Sequence, residues 1–403
     1  MSENGCNPLH RRQFMQSTVA ATAAASTLAT GAGAAQIQGA GADSPKTAEL
    51  PRRVLGKTGA SVTILNEGTV KSHGALDRLL RHSFSRGIRY FDTAKSYGTE
   101  AAFKKWFEAM PEIRKQIFLA TKDGVNYPDD MVRKIDQRLA ALGTDYIDLI
   151  FFHGLNSRQV DWPKSKEMKH AVEAVKKTGK VRFVGFSTHD AKRPEQLMAA
   201  AEGGFIDVIM LQFSPWLEKD APLNKALDAC HKADIGLVSM KQMAGHTQAL
   251  DKLPILKERG LNSYQGLLTA IWSDDRIATT CVTMMNTDQV NQNTDAARQF
   301  EPLKQAEIHQ LRDAVLAAGP TMCADCDGRC GRAAGTKARL GDLTRFLTYH
   351  EHHGSRRQAR EGYAELAPEE RNWHGADLEA AREACFSKLD FASLLPEVDR
   401  LLG

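Results

Sequence analysis

The 403-residue sequence predicts an α/β protein, a (β/α)8 TIM barrel followed by a small, mainly helical C-terminal module. Three observations predict it. From Val62 onward, short apolar runs alternate with longer segments of helical period, the rhythm of parallel strands joined by crossover helices. That rhythm completes eight strand and helix units and stops after Ala297, as such a barrel requires. No G-x-G-x-x-G turn follows the first strand, where a doubly wound open sheet would carry one.

The elements follow in order. Glu67-Gly68-Thr69 closes the first strand, and Tyr90–Asp92, 117–121, 146–152, 181–187, 208–211, 236–240 and 278–282 supply the other seven. Helical period marks residues 75–86, 129–142, 164–177 and 222–233 among the crossovers. The barrel is expected over residues 51–300, a connecting helix over 301–320 and the module over 321–403.

Composition places the chain among ordinary globular proteins: 42% hydrophobic, 25% charged, formal net charge +4. No basic stripe with interleaved aromatics points to nucleic acid. Residues 1–35 differ in kind. His10-Arg11-Arg12-Gln13-Phe14-Met15 precedes an uncharged run of Ala, Thr, Ser and Gly ending near Ala32-Gly33-Ala34, the pattern of an export signal with a small-residue cut site. The paired arginines resemble a twin-arginine leader, which implies export of an already folded protein to the periplasm or beyond. Residues 36–50 read as a linker, and nothing later approaches the roughly 20 apolar residues of a membrane span.

In a barrel of this kind chemistry gathers at the C-terminal ends of strands. Four residues stand there: Asp92 in "FDTAKSYG", Tyr97 five residues on, Lys122 in "LATKDG" and His153 in "IFFHGL". Together they resemble the aldo-keto reductases, over residues 52 to 297. The resemblance implies that Tyr97 gives a proton to a carbonyl oxygen while a nicotinamide gives hydride to the carbon. It implies that Lys122 lowers the tyrosine's pKa, Asp92 pairs with the lysine and His153 polarises the carbonyl. Elementary chemistry agrees. A phenol titrating near ~10 needs a nearby cation to serve at neutral pH, and a lysine at a barrel mouth needs a counterion.

Cofactor positions follow from the same resemblance. Ser187 and Thr188 in "GFSTH" and Gln212 in "IMLQFS" match residues that hold the nicotinamide amide, and Gln292 and Asn293 match the pair at the adenine. Two departures stand out. Thr283-Met284-Met285-Asn286 and Gln289 carry no Lys or Arg where many members grip the 2′-phosphate of NADP, so NAD, or weak binding of either, is expected as readily. Met240 or Lys241 replaces the aromatic residue that often stacks on the nicotinamide.

Of seven cysteines, Cys6 lies in the leader, and Cys230 and Cys281 read as buried inert thiols. Cys323, Cys326 and Cys330 cluster in "MCADCDGRC", and Cys385 stands alone near the end. Some aldo-keto reductases carry a ferredoxin-like extension holding a [4Fe-4S] cluster, and residues 321–399 resemble a degenerate copy. The resemblance implies one surviving ligand set of Cys323, Cys326, Cys330 and Cys385. Zinc, disulfides and metal-free thiols remain alternatives. His350, His352 and His353 in "YHEHHG" read as a polar helix end, since positions two apart do not share a helix face.

The expectation is an exported NAD(P)H-dependent oxidoreductase that reduces a small-molecule aldehyde or ketone and carries an appended iron-sulfur cluster, with a redox partner left open. The alternative is a non-catalytic, nucleotide-sensing or partner-binding barrel with a structural metal. Neither the substrate's identity nor the oligomeric state has a signature in the sequence.

Overall fold

The computed structural model describes residues 49–70, 72, 74–190, 192–217, 219–242, 247–317, 323, 328–351, 356–385 and 387–403. The leader, most of the linker, Cys326, His352 and His353 lie outside the described residues.

Eight parallel strands close into a barrel: β3 (Leu65–Gly68), β4 (Tyr90–Asp92), β5 (Phe118–Asp123), β6 (Ile147–Phe152), β7 (Val181–Thr188), β8 (Val208–Gln212), β9 (Gly236–Met240) and β10 (Ile277–Thr283), with β10 pairing β3. Each falls within two residues of its expected bounds. The helices α1 (Leu76–Ser85), α2 (Glu100–Ala109), α3 (Asp130–Leu142), α4 (Lys166–Lys177), α5 (Arg193–Gly203), α6 (Pro222–Lys232), α7 (Pro254–Glu258), α8 (Ser263–Trp272) and α9 (Thr287–Arg298) occupy the crossovers. Their starts and stops follow local chemistry. The Ser165 hydroxyl accepts from the Met168 N–H at 3.1 Å to cap α4, and Gly143 ends α3 at φ 66°, a left-handed turn that favours glycine.

Alternation along the strands sorts the core into two layers. Tyr90, Phe118, Leu149, Phe151, Met210 and Val238 fill the barrel interior. Phe91, Leu119, Ile150, Phe152 and Leu211, one residue out of phase, face the helices. An unforeseen antiparallel hairpin, β1 (Arg52–Val54) and β2 (Ser61–Thr63), closes the N-terminal end. Its Leu55 and Val62 join the interior cluster, and Arg53 Nη1 donates to the Ile277 carbonyl at 2.6 Å, where β10 begins.

The connecting helix α10 (Gln305–Ala317) belongs to the barrel rather than the module, because Ile308, Leu311 and Val315 bury into the outer core. The module has a core of its own. Helices α11 (Arg329–Ala333), α12 (Leu340–Glu351), α13 (Arg356–Glu365), α14 (Pro368–Arg371), α15 (Leu378–Ala384) and α16 (Phe391–Leu402) enclose Leu340, Leu343, Leu347, Phe391, Leu395 and Val398. His350, expected at a polar helix end, is buried within this packing. Among the described residues no helix is long and apolar enough to cross a membrane.

Glu67 breaks the apolar pattern of the outer layer without a basic partner among the described residues, unlike Asp123 and Asp148, which pair with arginines. Glu67 is fully buried in β3, where the Ser83 hydroxyl of α1 donates to Oε2 at 2.6 Å and the Met284 N–H donates to Oε1 at 3.3 Å. Burial outweighs those bonds and pushes the carboxyl from its ordinary 4.5 up to about 8. A folded-state pKa above the unfolded one means the native protein holds this proton more tightly, so the resulting stability is complete below about 4.5 and is lost as pH rises through 8. The unfolding free energy in urea should fall across that window by on the order of 5 kcal/mol from this group, at about 1.4 kcal/mol per unit. Glu67→Gln should flatten that part of the profile.

Candidate active site

The C-terminal ends of β4, β5 and β6 bring all four expected residues together. Asp92 ends β4 and Lys122 lies one residue from the end of β5, and their side chains form a direct ion pair, 2% and 1% exposed. The lysine also donates to the Thr93 carbonyl at 3.0 Å. Tyr97 closes a single 3-10 turn after β4, released by Gly98 in the left-handed region at φ 69°. That turn lays its ring 5.2 Å from the Lys122 ammonium, which also reaches the phenol oxygen. His153 follows β6, its ring edge-on to Tyr97 at 5.7 Å and 86°, with Nδ1 3.5 Å from the Ser96 hydroxyl.

Burial dominates the electrostatics. It pushes the Lys122 ammonium down, but contact with Asp92 more than reverses this and holds the lysine protonated above its ordinary range. Burial raises the Tyr97 phenol, and the pull of Lys122 offsets only part of that rise. The expected lowering of the tyrosine is therefore corrected: Asp92 neutralises much of the lysine's field, and the phenol stays protonated through neutral pH. Burial, aided by Lys122 and Lys241, drives His153 down to about 3, so its ring is neutral and has one N–H to donate.

The expected cofactor residues separate into two groups. Gln212 ends β8 fully buried, and its Oε1 has no partner among the described residues, which suits a donated carboxamide N–H. The Ser187 hydroxyl accepts from the Gly154 N–H at 2.9 Å and sits beside the same strand end. Gln292 and Asn293 line a cleft of about 730 Å³ that runs from Asp92 and Tyr97 to the first turns of α9. There Asn286 caps the helix by accepting from the Gln289 N–H at 2.9 Å, so the positive helix end faces the cleft. Thr188 lies apart from these. Its hydroxyl donates to Gln196 Oε1 at 2.6 Å and accepts from the Asp190 N–H at 3.2 Å, tying β7 to α5. These residues fit a dinucleotide laid along the cleft.

Three features of the site were not foreseen. Cys281, expected as an inert strand thiol, points into the cleft beside Asp92, where a Cβ added at Gly68 would lie 2.8 Å from its sulfur. Asp288 stands on the cleft wall near Asn286 and Gln289, an acid where a phosphate grip would need a base. Arg339, Arg345, Phe346 and Tyr349 of the module reach over the mouth and, with Lys241 and Gln212, line a second cavity of about 840 Å³. Asp288 lies in the stretch already read for a phosphate grip, whereas nothing local in the sequence gives the direction of the Cys281 side chain or says that α12 faces the barrel.

The module's described cysteines share one neighbourhood. A Cβ at Gly341 would lie 3.7 Å from Cys323 Sγ and 3.9 Å from Cys330 Sγ, so both sulfurs face the space that this glycine leaves clear. Cys330 and Cys385 are buried in the same core. Among the described residues no three His, Cys, Asp or Glu side chains stand close enough to hold a metal ion.

Comparison with known proteins agrees with this geometry. L-galactose dehydrogenase of Arabidopsis thaliana is 26% identical over 213 residues, 49% of this chain and 66% of the plant protein, just under two thirds of its length. An uncharacterized oxidoreductase of Bacillus subtilis is 29% identical over 248 residues, 55% of this chain and 72% of its own. The structure of an aldo-keto reductase from Bacillus halodurans superposes with a TM-score of 0.53 at 22% identity, covering 66% of this chain and 96% of that one, a likeness of fold. The family model for the aldo/keto reductases matches residues 63–315, and with the closed barrel this establishes that the chain belongs to the aldo/keto reductase family.

Proposed function

We infer that this family member is an NADH-linked reductase of a small aldehyde or ketone, with Tyr97 as proton donor. The observation that carries the reading is the buried Lys122–Asp92 pair set beneath a protonated phenol. A reduced nicotinamide bound in the cleft supplies hydride. Gln212 and Ser187 stand where its amide is held, and the neutral His153 N–H orients the carbonyl oxygen toward Tyr97. As the carbon gains hydride, the oxygen takes the Tyr97 proton. The phenolate left behind is stabilised by Lys122 until solvent returns the proton.

Export through a twin-arginine-type leader and a [4Fe-4S] cluster on Cys323, Cys326, Cys330 and Cys385 complete the reading. The convergence of two sulfurs over Gly341 supports the cluster, and no step of the reaction runs through it.

Four measurements test this reading. Tyr97→Phe should lower kcat/KM for carbonyl reduction by roughly 10²–10⁴, and equal activity in the variant overturns the mechanism. Because burial raises the phenol, the wild-type reduction profile should stay flat through pH 6–9 and fall only above ~10, with no inflection near 6.5 from His153. With Asp288 and Gln289 at the ribose end, NADH should bind at least ~10-fold more tightly than NADPH by fluorescence titration. Anaerobically purified protein should hold about four iron per chain and show broad visible absorption, whereas stoichiometric zinc would sink the cluster assignment.

A further inference from the structure

Lys241 stands where the two cavities at the barrel mouth meet. It lines the cofactor cleft with Asp92, Tyr97 and Cys281, and it lines the cavity under α12 with Gln212, His189 and Arg158. Its backbone adopts φ 53°, a left-handed conformation that a non-glycine residue rarely takes and that persists only where the surroundings enforce it. The barrel residues of the outer cavity are Val70, Asn156, Ser157, Arg158, His189, Gln212 and Lys241, two cations and no acid. From the module, Arg339 and Arg345 both pair with the one carboxylate of Asp342, and Arg339 also lies 3.7 Å from Asp190. The acids Glu361, Glu365 and Glu370 come from α13 and α14, and Glu361 pairs with Arg357 at 3.6 Å. Phe346 and Tyr349 give the wall an aromatic face.

We propose that the cavity between the barrel mouth and α12 selects carbonyl substrates bearing a carboxylate, with Lys241 as its primary contact. This rests on the reductase reading and names the substrate class of that same site. A lysine at the junction places a compact positive charge next to the carbonyl position, and a monoanion matches a single ammonium. The positive field has a second mark: Lys241, with Arg345 and Arg339, holds His189 well below its ordinary range, and His189 lines the same cavity. His189 and His153 are thus neutral donors that leave the anion to the lysine.

The test uses the full chain with NADH and two aldehydes that differ only in charge, 4-formylbenzoate and 4-formylbenzamide. It adds a readout without turnover, titration calorimetry of benzoate against benzamide. The expected result is a kcat/KM at least ~10-fold higher for the carboxylate, carried mainly by KM, and tighter binding of benzoate. Lys241→Met should erase both preferences and Lys241→Arg should restore most of each. If benzoate binds in a Lys241-dependent manner but neither aldehyde is reduced, the catalytic reading fails and the anion site stands. If benzoate binds no better than benzamide, or Lys241→Met leaves its preference intact, the anion site is overturned whatever the aldehydes do.

Discussion

The candidate site depends on one buried ion pair. Lys122 and Asp92 come from adjacent strands, both nearly inaccessible to water, and each makes the other's burial tolerable. The pair lies at the centre of a site whose electrostatics burial dominates. Burial raises the Tyr97 phenol, and the pull of Lys122, partly cancelled by Asp92, does not reverse it, so it stays a phenol. Burial and then the same cation keep His153 neutral. A protonated phenol and a neutral imidazole thus stand together around one buried charge pair.

The barrel is a means of holding that pair still. Strand alternation sends Tyr90, Phe151 and Met210 inward to fill the interior, while Phe91, Phe152 and Leu211 anchor the helices. Register then sets β4, β5 and β6 side by side with their C-terminal ends at one mouth, so Asp92, Lys122 and His153 meet there from distant points in the chain.

Much of this was legible in the sequence. Short apolar runs between amphipathic segments located the eight strands, and the polar residues at their ends named Asp92, Lys122 and His153. What stayed hidden depended on direction or distance. Cys281 looked inert because a strand position does not say which layer its side chain enters. The bond from Thr188 to Gln196, eight residues on, forms only once α5 packs. The tyrosine's shift was misjudged because the pull of the lysine was weighed without the cost of burying the phenol. The hairpin beneath the barrel and α12 above it are long-range placements that local period cannot encode.

Arg339 links Asp342 within the module to Asp190 on the loop after β7. Through that link, one wall of the outer cavity is secured to the β7 edge of the barrel mouth by a side chain from beyond the barrel's own strands. Sequence change in α12 and α13 can therefore reshape the entrance while the ends of β4, β5 and β6 stay untouched, which lets the shape of the mouth vary independently of the strand ends along a single chain.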